Sequence, residues 1–161
     1  VCSSDLVRTD VILNELSIVF EPMMKAKSIT LFTHIEPLII NADADLFKSV
    51  IYNFVDNAVK ASFEGGKIEL TCRSEGEYAV ITVRDYGMGI AEEDKKRIFE
   101  PFYMADKVRS RKLGGAGLGL ALCAEIAKKH NAKIELESEL GKGTIISICI
   151  KQSEGKINEQ I

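Results

Sequence analysis

Apolar residues at the start of the chain recur at helical spacing. Ile12, Leu13, Leu16, Val19, Phe20 and Met23 follow a 3.6-residue period and predict a helix over Asp10 to Lys25, with Pro22 marking its end or a kink. Ile29, Leu31 and Phe32 then interleave with polar residues, which predicts a strand over Ser28 to His34; Leu38 to Asn41 predicts a second, short one. A long helix follows to about Ser62. Asp43 or Asp45 caps it, because a carboxylate there accepts orphan backbone N–H groups and meets the helix dipole favourably.

Glu64-Gly65-Gly66 reads as a turn. Lys67 to Arg73 and Tyr78 to Arg84 read as paired strands across a polar turn at Ser74 to Glu77. A short helix is expected near Glu92 to Phe99. Pro101 to Gly117 has no periodicity and carries Lys107, Arg109, Arg111 and Lys112; a loop of that length inside a compact domain is functional or disordered. Leu118 to His130 is a predicted helix with Asn131 as a left-handed cap. Ala132 to Ser138 and Thr144 to Ile150 form a closing hairpin across Gly141-Lys142-Gly143, and a polar tail starts at Lys151. The pattern is mixed α/β, with antiparallel hairpins and helices on one face.

Composition narrows the function classes. The chain's 161 residues suffice for one domain with a sizeable core. A net charge of −3 provides no basic field for nucleic acid, so any polyphosphate must be held by local groups. No apolar run approaches the roughly 20 residues that span a bilayer. Cys2, Cys72, Cys123 and Cys149 are scattered without a CxxC pair, which favours buried free thiols in a reducing cytoplasm over a metal or disulfide framework. Val1-Cys2-Ser3-Ser4-Asp5-Leu6 resembles a translated sequencing-library adapter, the alternative being an ordinary N-terminal segment. Residues 1–6 are therefore kept out of the fold prediction, with the natural protein expected to begin upstream.

Three clusters carry candidate chemistry. Asn53, Asn57 and Lys60 are spaced i, i+4 and i+7, so they share one face of the long helix, opposite Phe47, Val50, Phe54 and Ala61. Mg²⁺ on a polyphosphate takes hard oxygen ligands, and an asparagine carbonyl supplies one without adding negative charge; Lys60 can neutralise phosphate as a point cation. The plain alternative is a solvated polar face. Asp85 closes a strand before Gly87 and Gly89; a carboxylate pairs well with an exocyclic amine such as adenine N6, though Asp-x-Gly also makes ordinary strand-end turns. Gly114 to Gly119 directly precedes a helix, where exposed N–H groups and the dipole favour phosphate, the alternative being a flexible linker. It is neither a P-loop nor a dinucleotide fingerprint.

In this order and spacing the chain resembles the catalytic ATP-binding domain of bacterial sensor histidine kinases, part of the superfamily shared with gyrase, Hsp90 and MutL. The likeness is collinear over about Ser28 to Ile150. It runs through Asn53-Phe-Val-Asp-Asn57-Ala-Val-Lys60, Asp85-Tyr-Gly87-Met-Gly89-Ile90, Ile98-Phe99-Glu100-Pro101-Phe102-Tyr103, Gly114-Gly-Ala-Gly117-Leu-Gly119-Leu-Ala-Leu and Gly141-Lys-Gly143-Thr144. The resemblance implies an α/β (α+β) two-layer sandwich, the Bergerat fold: a mixed, mostly antiparallel sheet covered by helices on one face, with a long ATP lid. It further implies residues 7–27 as a lead-in helix from a missing dimerisation and phosphoacceptor domain, 28–150 as the ATP-binding domain and 151–161 as the polar tail.

The same resemblance implies roles. Asn57 would coordinate Mg²⁺, with Asn53 supporting the metal or the phosphates and Lys60 contacting phosphate. Asp85 would bind the adenine amino group, with Gly87, Gly89 and Ile90 around it and Thr144 near it through a water. Glu100 to Gly117, including Phe102 and Tyr103, would form the lid, and either Arg109 or Arg111 would contact the γ-phosphate. Gly115, Gly117, Leu118 and Gly119 would line the phosphates. ATP and Mg²⁺ are thus the implied ligands. The implied partners are the chain's own phosphoacceptor domain and a response-regulator receiver domain, in a full-length homodimer. The implied setting is a cytoplasmic domain, with anchoring of the full-length protein in the inner or plasma membrane left open.

The chain departs from the pattern at Ala116, where a hydroxyl is frequent, at Tyr86, where Asn is frequent, and at Ala61, where an aromatic is frequent. Its only histidines, His34 on a strand and His130 at a helix end where a cation would suit the dipole, lack the acidic neighbour of a phosphoacceptor. Three alternatives remain: an ATPase of the gyrase branch, an anti-sigma-type kinase, or a non-catalytic nucleotide-binding regulatory domain. The first two tend to carry Glu at the position of Asn53, and an amide cannot take a proton from water.

Overall fold

The computed structural model describes residues 5–104 and 119–154. Among them run β1 (Asp5–Arg8), α1 (Thr9–Ala26), β2 (Thr30–Ile35), β3 (Ile39–Ala42), α2 (Ala44–Ala61), β4 (Lys67–Glu75), β5 (Tyr78–Asp85), α3 (Glu92–Lys95), α4 (Gly119–Lys129), β6 (Lys133–Glu139) and β7 (Gly143–Lys151). The main sheet has the order β2-β4-β5-β7-β6; only β2 and β4 are parallel. β1 and β3 form a separate antiparallel pair. The expected mixed, mostly antiparallel sheet with helices on one face is what forms.

Alternation along each strand makes the two faces. Side chains stack in rows across the sheet: Leu70, Val83, Ile146 and Leu136 form one row, and Cys72, Ile81, Ile148 and Ile134 the next. These rows meet the buried stripes of α1, α2 and α4. Leu13, Leu16 and Phe20 come from α1, Phe47, Val50, Ile51, Phe54 and Val55 from α2, and Cys123 and Ile126 from α4. The Phe20 and Tyr52 rings lie 6.1 Å apart where α1 crosses α2. Burial pushes the Cys72 thiol up to about 11 and the Cys123 thiol up to about 12, so both stay neutral and unreactive. No helix of the described residues is long and apolar enough to cross a membrane.

The structure adjusts several sequence-based expectations. Val19, placed on the apolar stripe, is exposed, and Met24 is buried in its stead, because the buried face follows Leu13, Leu16, Phe20 and Met24. Pro22 does not end α1, which continues to Ala26. Ser28 is not in a strand. It takes a left-handed φ of 53° and hydrogen-bonds back to Lys25, closing the helix. The short helix stops at Lys95, and 96–101 continue as turns. Asp43, rather than Asp45, caps α2, its side chain accepting from Leu46 N–H at 3.0 Å. Ala61 is only half-buried. Strand β1 was not foreseen: its Asp5 and Leu6 pair with Ala42 and Asn41.

Asn131 has the predicted left-handed φ, 51°. His130 does not serve as a helix-end cation. Its Nδ1 faces the Ile126 carbonyl at 2.7 Å, which can only accept, while Nε2 accepts Asp43 N–H at 3.0 Å. That is the pattern of the neutral ring, and it pins the end of α4 to the start of α2.

Phe20→Ala tests whether α1 belongs to this core. Removing a fully buried phenylalanine is expected to cost about 3–5 kcal/mol in urea unfolding. A loss near that of a surface substitution would show that α1 contributes little.

Candidate functional site

The site is organised by the two ends of what α2 touches. An α-helix leaves its last four carbonyls without intrahelical donors. In α2 they are all engaged. Ala58 O accepts Ser62 N–H at 3.0 Å and Ser62 Oγ at 2.7 Å. Lys27 Nζ, arriving from the end of α1, donates to Val59 O at 2.8 Å, Lys60 O at 3.3 Å and Ser62 O at 2.8 Å. A cation there also complements the negative end of the helix dipole. Ala61 O accepts Met88 N–H at 3.0 Å, which stitches the helix to the Asp85–Gly89 turn.

That stitch explains Gly87. A Cβ at this residue would lie 2.0 Å from Ala61 O, so only glycine lets the turn approach the helix end. Gly89 stands in the same relation to the Glu139 carbonyl, and Gly141 N–H donates to Met88 O at 2.8 Å. The turn is therefore held by α2 on one side and the β6–β7 hairpin on the other.

Asp85 closes β5 and is 5% exposed. Its Oδ1 accepts Gly87 N–H at 2.9 Å. Burial pushes the carboxyl above the usual carboxylate range, and the N–H groups of Gly87 and Thr144 pull it part of the way back. Across the sheet Asp85 lies beside Thr144, and Thr144 beside Ser138. Asp85, Thr144 and Ser138 thus form one polar row, directly after the apolar row Val83–Ile146–Leu136. Gly143, with φ of 92°, admits this arrangement: a Cβ there would lie 2.1 Å from Asp85 O. Ile90 N–H donates to Ser138 Oγ at 2.8 Å, which ties the segment after the turn to the same row.

The other end of the site lies along α2. Asn53 Nδ2 donates to Ser49 O at 2.8 Å, which turns its Oδ1 away; that oxygen sits 2.8 Å from where a Cβ of Gly119 would be. Gly119 of α4 therefore abuts Asn53, which brings α4 against the asparagine face. Asn57 is exposed on that face. Lys60 pairs with Asp56 at 2.9 Å. Among the described residues no group of three or more His, Cys, Asp or Glu could hold a metal ion alone. What this face offers a hard cation is amide oxygen, which suits a metal carried in by phosphate oxygens.

Phe102 has a left-handed φ of 64° and is 72% exposed. Tyr103 is tied to α3: its hydroxyl donates to Asp94 and its ring lies under Arg97 at 4.4 Å. Neither is drawn against Asn53 or Asp85 by a hydrogen bond. Tyr86 points to the sheet's outer face, its ring between Lys67 and Arg84 and its hydroxyl on Glu69, so its departure from Asn leaves the Asp85 side untouched. Arg109, Arg111, Gly115, Ala116, Gly117 and Leu118 lie outside the described residues. Sequence reasoning missed Lys27 and Ser138. The hairpin register could have found Ser138 opposite Thr144, but nothing local marks Lys27 as the partner of carbonyls 32 to 35 residues away.

A protein-family model described as histidine kinase-, DNA gyrase B-, and HSP90-like ATPase matches residues 42–154. The sensor histidine kinase RppB of Synechocystis sp. is 42% identical over 99 residues, 62% of this chain and 22% of that protein. The sensor histidine kinase WalK of Bacillus subtilis is 40% identical over 119 residues, 73% of this chain and 20% of that protein. This chain thus spans about a fifth of the length of these relatives. The solved catalytic domain of histidine kinase ThkA superposes with a TM-score of 0.79 at 28% identity, covering 92% of this chain and 96% of that one. ThkA in complex with the response regulator TrrA gives 0.77 at 27%, covering 93% of this chain and 42% of that one. Full-length ShkA in complex with AMPPNP gives 0.80 at 26%, covering 94% and 32%.

The buried carboxyl of Asp85 makes a stability prediction. An acid whose value is raised on folding holds its proton more tightly in the folded state. The favourable contribution is therefore complete below the ordinary carboxylate value and is lost as pH rises through the raised one. Asp85→Asn removes the desolvated charge while its amide oxygen can still accept Gly87 N–H. Urea unfolding should show the variant at least as stable as wild type at pH 7, with any advantage vanishing as pH falls through the carboxylate range. A variant clearly less stable at pH 7 would contradict this. Gly87→Ala should instead cost about 1–3 kcal/mol at every pH, from overpacking against Ala61 O.

Proposed function

We propose that this chain, which belongs to the histidine kinase-, DNA gyrase B-, and HSP90-like ATPase family, is the ATP-binding catalytic domain of a protein-histidine kinase. In the whole protein it presents the γ-phosphoryl group of ATP to a histidine on a separate dimerisation and phosphoacceptor domain, for relay to a response-regulator aspartate. One observation carries this: the buried Asp85, fixed by Gly87 N–H, and the Asn53–Asn57 face, backed by Gly119 of α4, are both anchored on the single helix α2. The names of the relatives, the analogue bound to ShkA and the complex of ThkA with a response regulator support it.

On this reading the adenine amine meets Asp85, with Thr144 beside it and Gly87, Gly89 and Ile90 framing the base. The phosphates lie toward Asn53, Asn57 and Gly119. Lys60 reaches them by exchanging Asp56 for phosphate. Gly115, Gly117 and Leu118 line the phosphates, Phe102 and Tyr103 begin the lid, and Arg109 or Arg111 meets the γ-phosphate. Mg²⁺, held by Asn57 with support from Asn53, would neutralise phosphate charge when bound with the nucleotide.

Asn53 favours transfer over hydrolysis. Its Nδ2 is committed to Ser49 O, and its Oδ1 is an amide oxygen with no useful basicity. The chain holds its nucleotide without a carboxylate base at the position that would activate water. The incoming imidazole nitrogen forms the new bond to the γ-phosphorus as the bond to the bridging oxygen breaks, and ADP leaves. The protein's part is positioning and charge stabilisation.

Incubation with γ-labelled ATP, Mg²⁺ and a relative's dimerisation domain tests this. Label should appear on that domain's histidine as an acid-labile, base-stable phosphoryl group, and Asn57→Ala should slow labelling about tenfold or more. Release of free phosphate at an equal rate without the acceptor domain would favour the ATPase reading instead.

A further inference from the structure

Ser138 sits in the polar row but is separated from Asp85 by Thr144. Its hydroxyl has one proton and two lone pairs, and three neighbours use them. Ile90 N–H is a donor, at 2.8 Å, and takes one lone pair. The Gly143 carbonyl, at 3.0 Å, can only accept, and takes the proton. The third neighbour is Thr144 Oγ1, at 2.7 Å. With the Ser138 proton already committed, this last bond has one polarity left: Thr144 donates and Ser138 accepts.

The consequence falls on Thr144. Its own proton points at Ser138, so toward the nucleotide side the Thr144 hydroxyl shows lone pairs only. Asp85, the next residue in the row, is likewise an acceptor, with Oδ1 held by Gly87 N–H. Two acceptors side by side suit an exocyclic amine and repel a carbonyl at the same place. A water donating one proton to Oγ1 keeps a lone pair for the amine but also a second proton for a carbonyl, so the discrimination is sharpest where the base meets Thr144 directly.

We propose that Ser138 is a positioning residue for base selection: by fixing the direction of the Thr144 hydroxyl proton, it sets the preference for adenine over guanine. The proposal rests on the reading of Asp85 as the base-binding carboxylate. Ser138 itself does not touch the nucleotide. Both Ser138 and Thr144 are buried, which keeps bulk water from offering Thr144 a different partner.

The test is calorimetric titration of the chain with ATP, GTP and purine riboside 5′-triphosphate, which lacks the exocyclic amine. In Ser138→Ala the Thr144 hydroxyl turns freely and can donate. ATP binding should weaken by about three- to tenfold, the equivalent of one neutral hydrogen bond, and the ATP-over-GTP ratio should fall by at least as much. Binding of purine riboside triphosphate should stay within about twofold, on the same one-bond reasoning. Thr144→Val keeps both backbone bonds of Ser138, and so guards against misfolding of the first variant; it should show the same amine-selective loss. Adding Ser138→Ala to it should cost nothing further. Equal weakening of ATP and purine riboside triphosphate in Ser138→Ala would make Ser138 merely structural and overturn the proposal, as would an unchanged ATP-over-GTP ratio. Failure of the folded wild type to bind any of the three would instead sink the Asp85 reading itself.

Discussion

The close approach of the Asp85–Gly89 turn to the C-terminal end of α2 is the constraint on which the rest of the site depends. Met88 N–H on Ala61 O, and the missing Cβ of Gly87 above it, bring a strand end and a helix end into direct backbone contact. Because α2 is one rigid rod, that contact fixes Asp85 relative to Asn53 and Asn57 as well. The same rod receives Lys27 at its C-terminal carbonyls and the Asp43 side chain at its Leu46 amide. A helix held at both ends is a better ruler than one that frays.

A second consequence is electrostatic. Burying Asp85 opposes its ionisation, so the site holds a group whose solvation has been given up before any ligand arrives. On the proposed reading, an exocyclic amine donating to it would restore what burial removes, turning a cost to stability into affinity for a base. At the other end the chain chose amides over carboxylates. In the proposed site, Asn53 and Asn57 would accept a cation or a donor without adding charge beside phosphates, and an amide does not serve as a base.

Much of this was legible in the residues, and what was not has physical reasons. Helical periodicity located α1, α2 and α4, because burial of one stripe leaves that pattern directly. Asp43 and Asn131 were readable because their backbone roles are local; the glycines at 87 and 89 stood out as close-approach positions, but the carbonyls they approach, Ala61 O and Glu139 O, lie on distant segments. Contacts between distant segments were not readable. Lys27 on the α2 carbonyls, Asp5–Arg8 beside Ile39–Ala42, and Tyr103 on Asp94 depend on which elements meet. His130 has the structural role expected of it, but as an acceptor for the Asp43 amide, a long-range need that its place at a helix end does not reveal. Ser138 looked like the last residue of a strand; its three hydrogen bonds appear only once the hairpin register is laid against Ile90.

The most direct measurement is calorimetric titration of the folded chain with ATP and Mg²⁺, beside Asp85→Asn at matched pH and salt. If Asp85 reads the base from its place on the α2 stitch, wild type binds and the variant, though as stable as wild type, loses affinity by about tenfold or more, as expected when a charge-assisted hydrogen bond is removed. Equal binding by the two proteins would contradict the assignment of Asp85, and with it the anchoring of the base on α2.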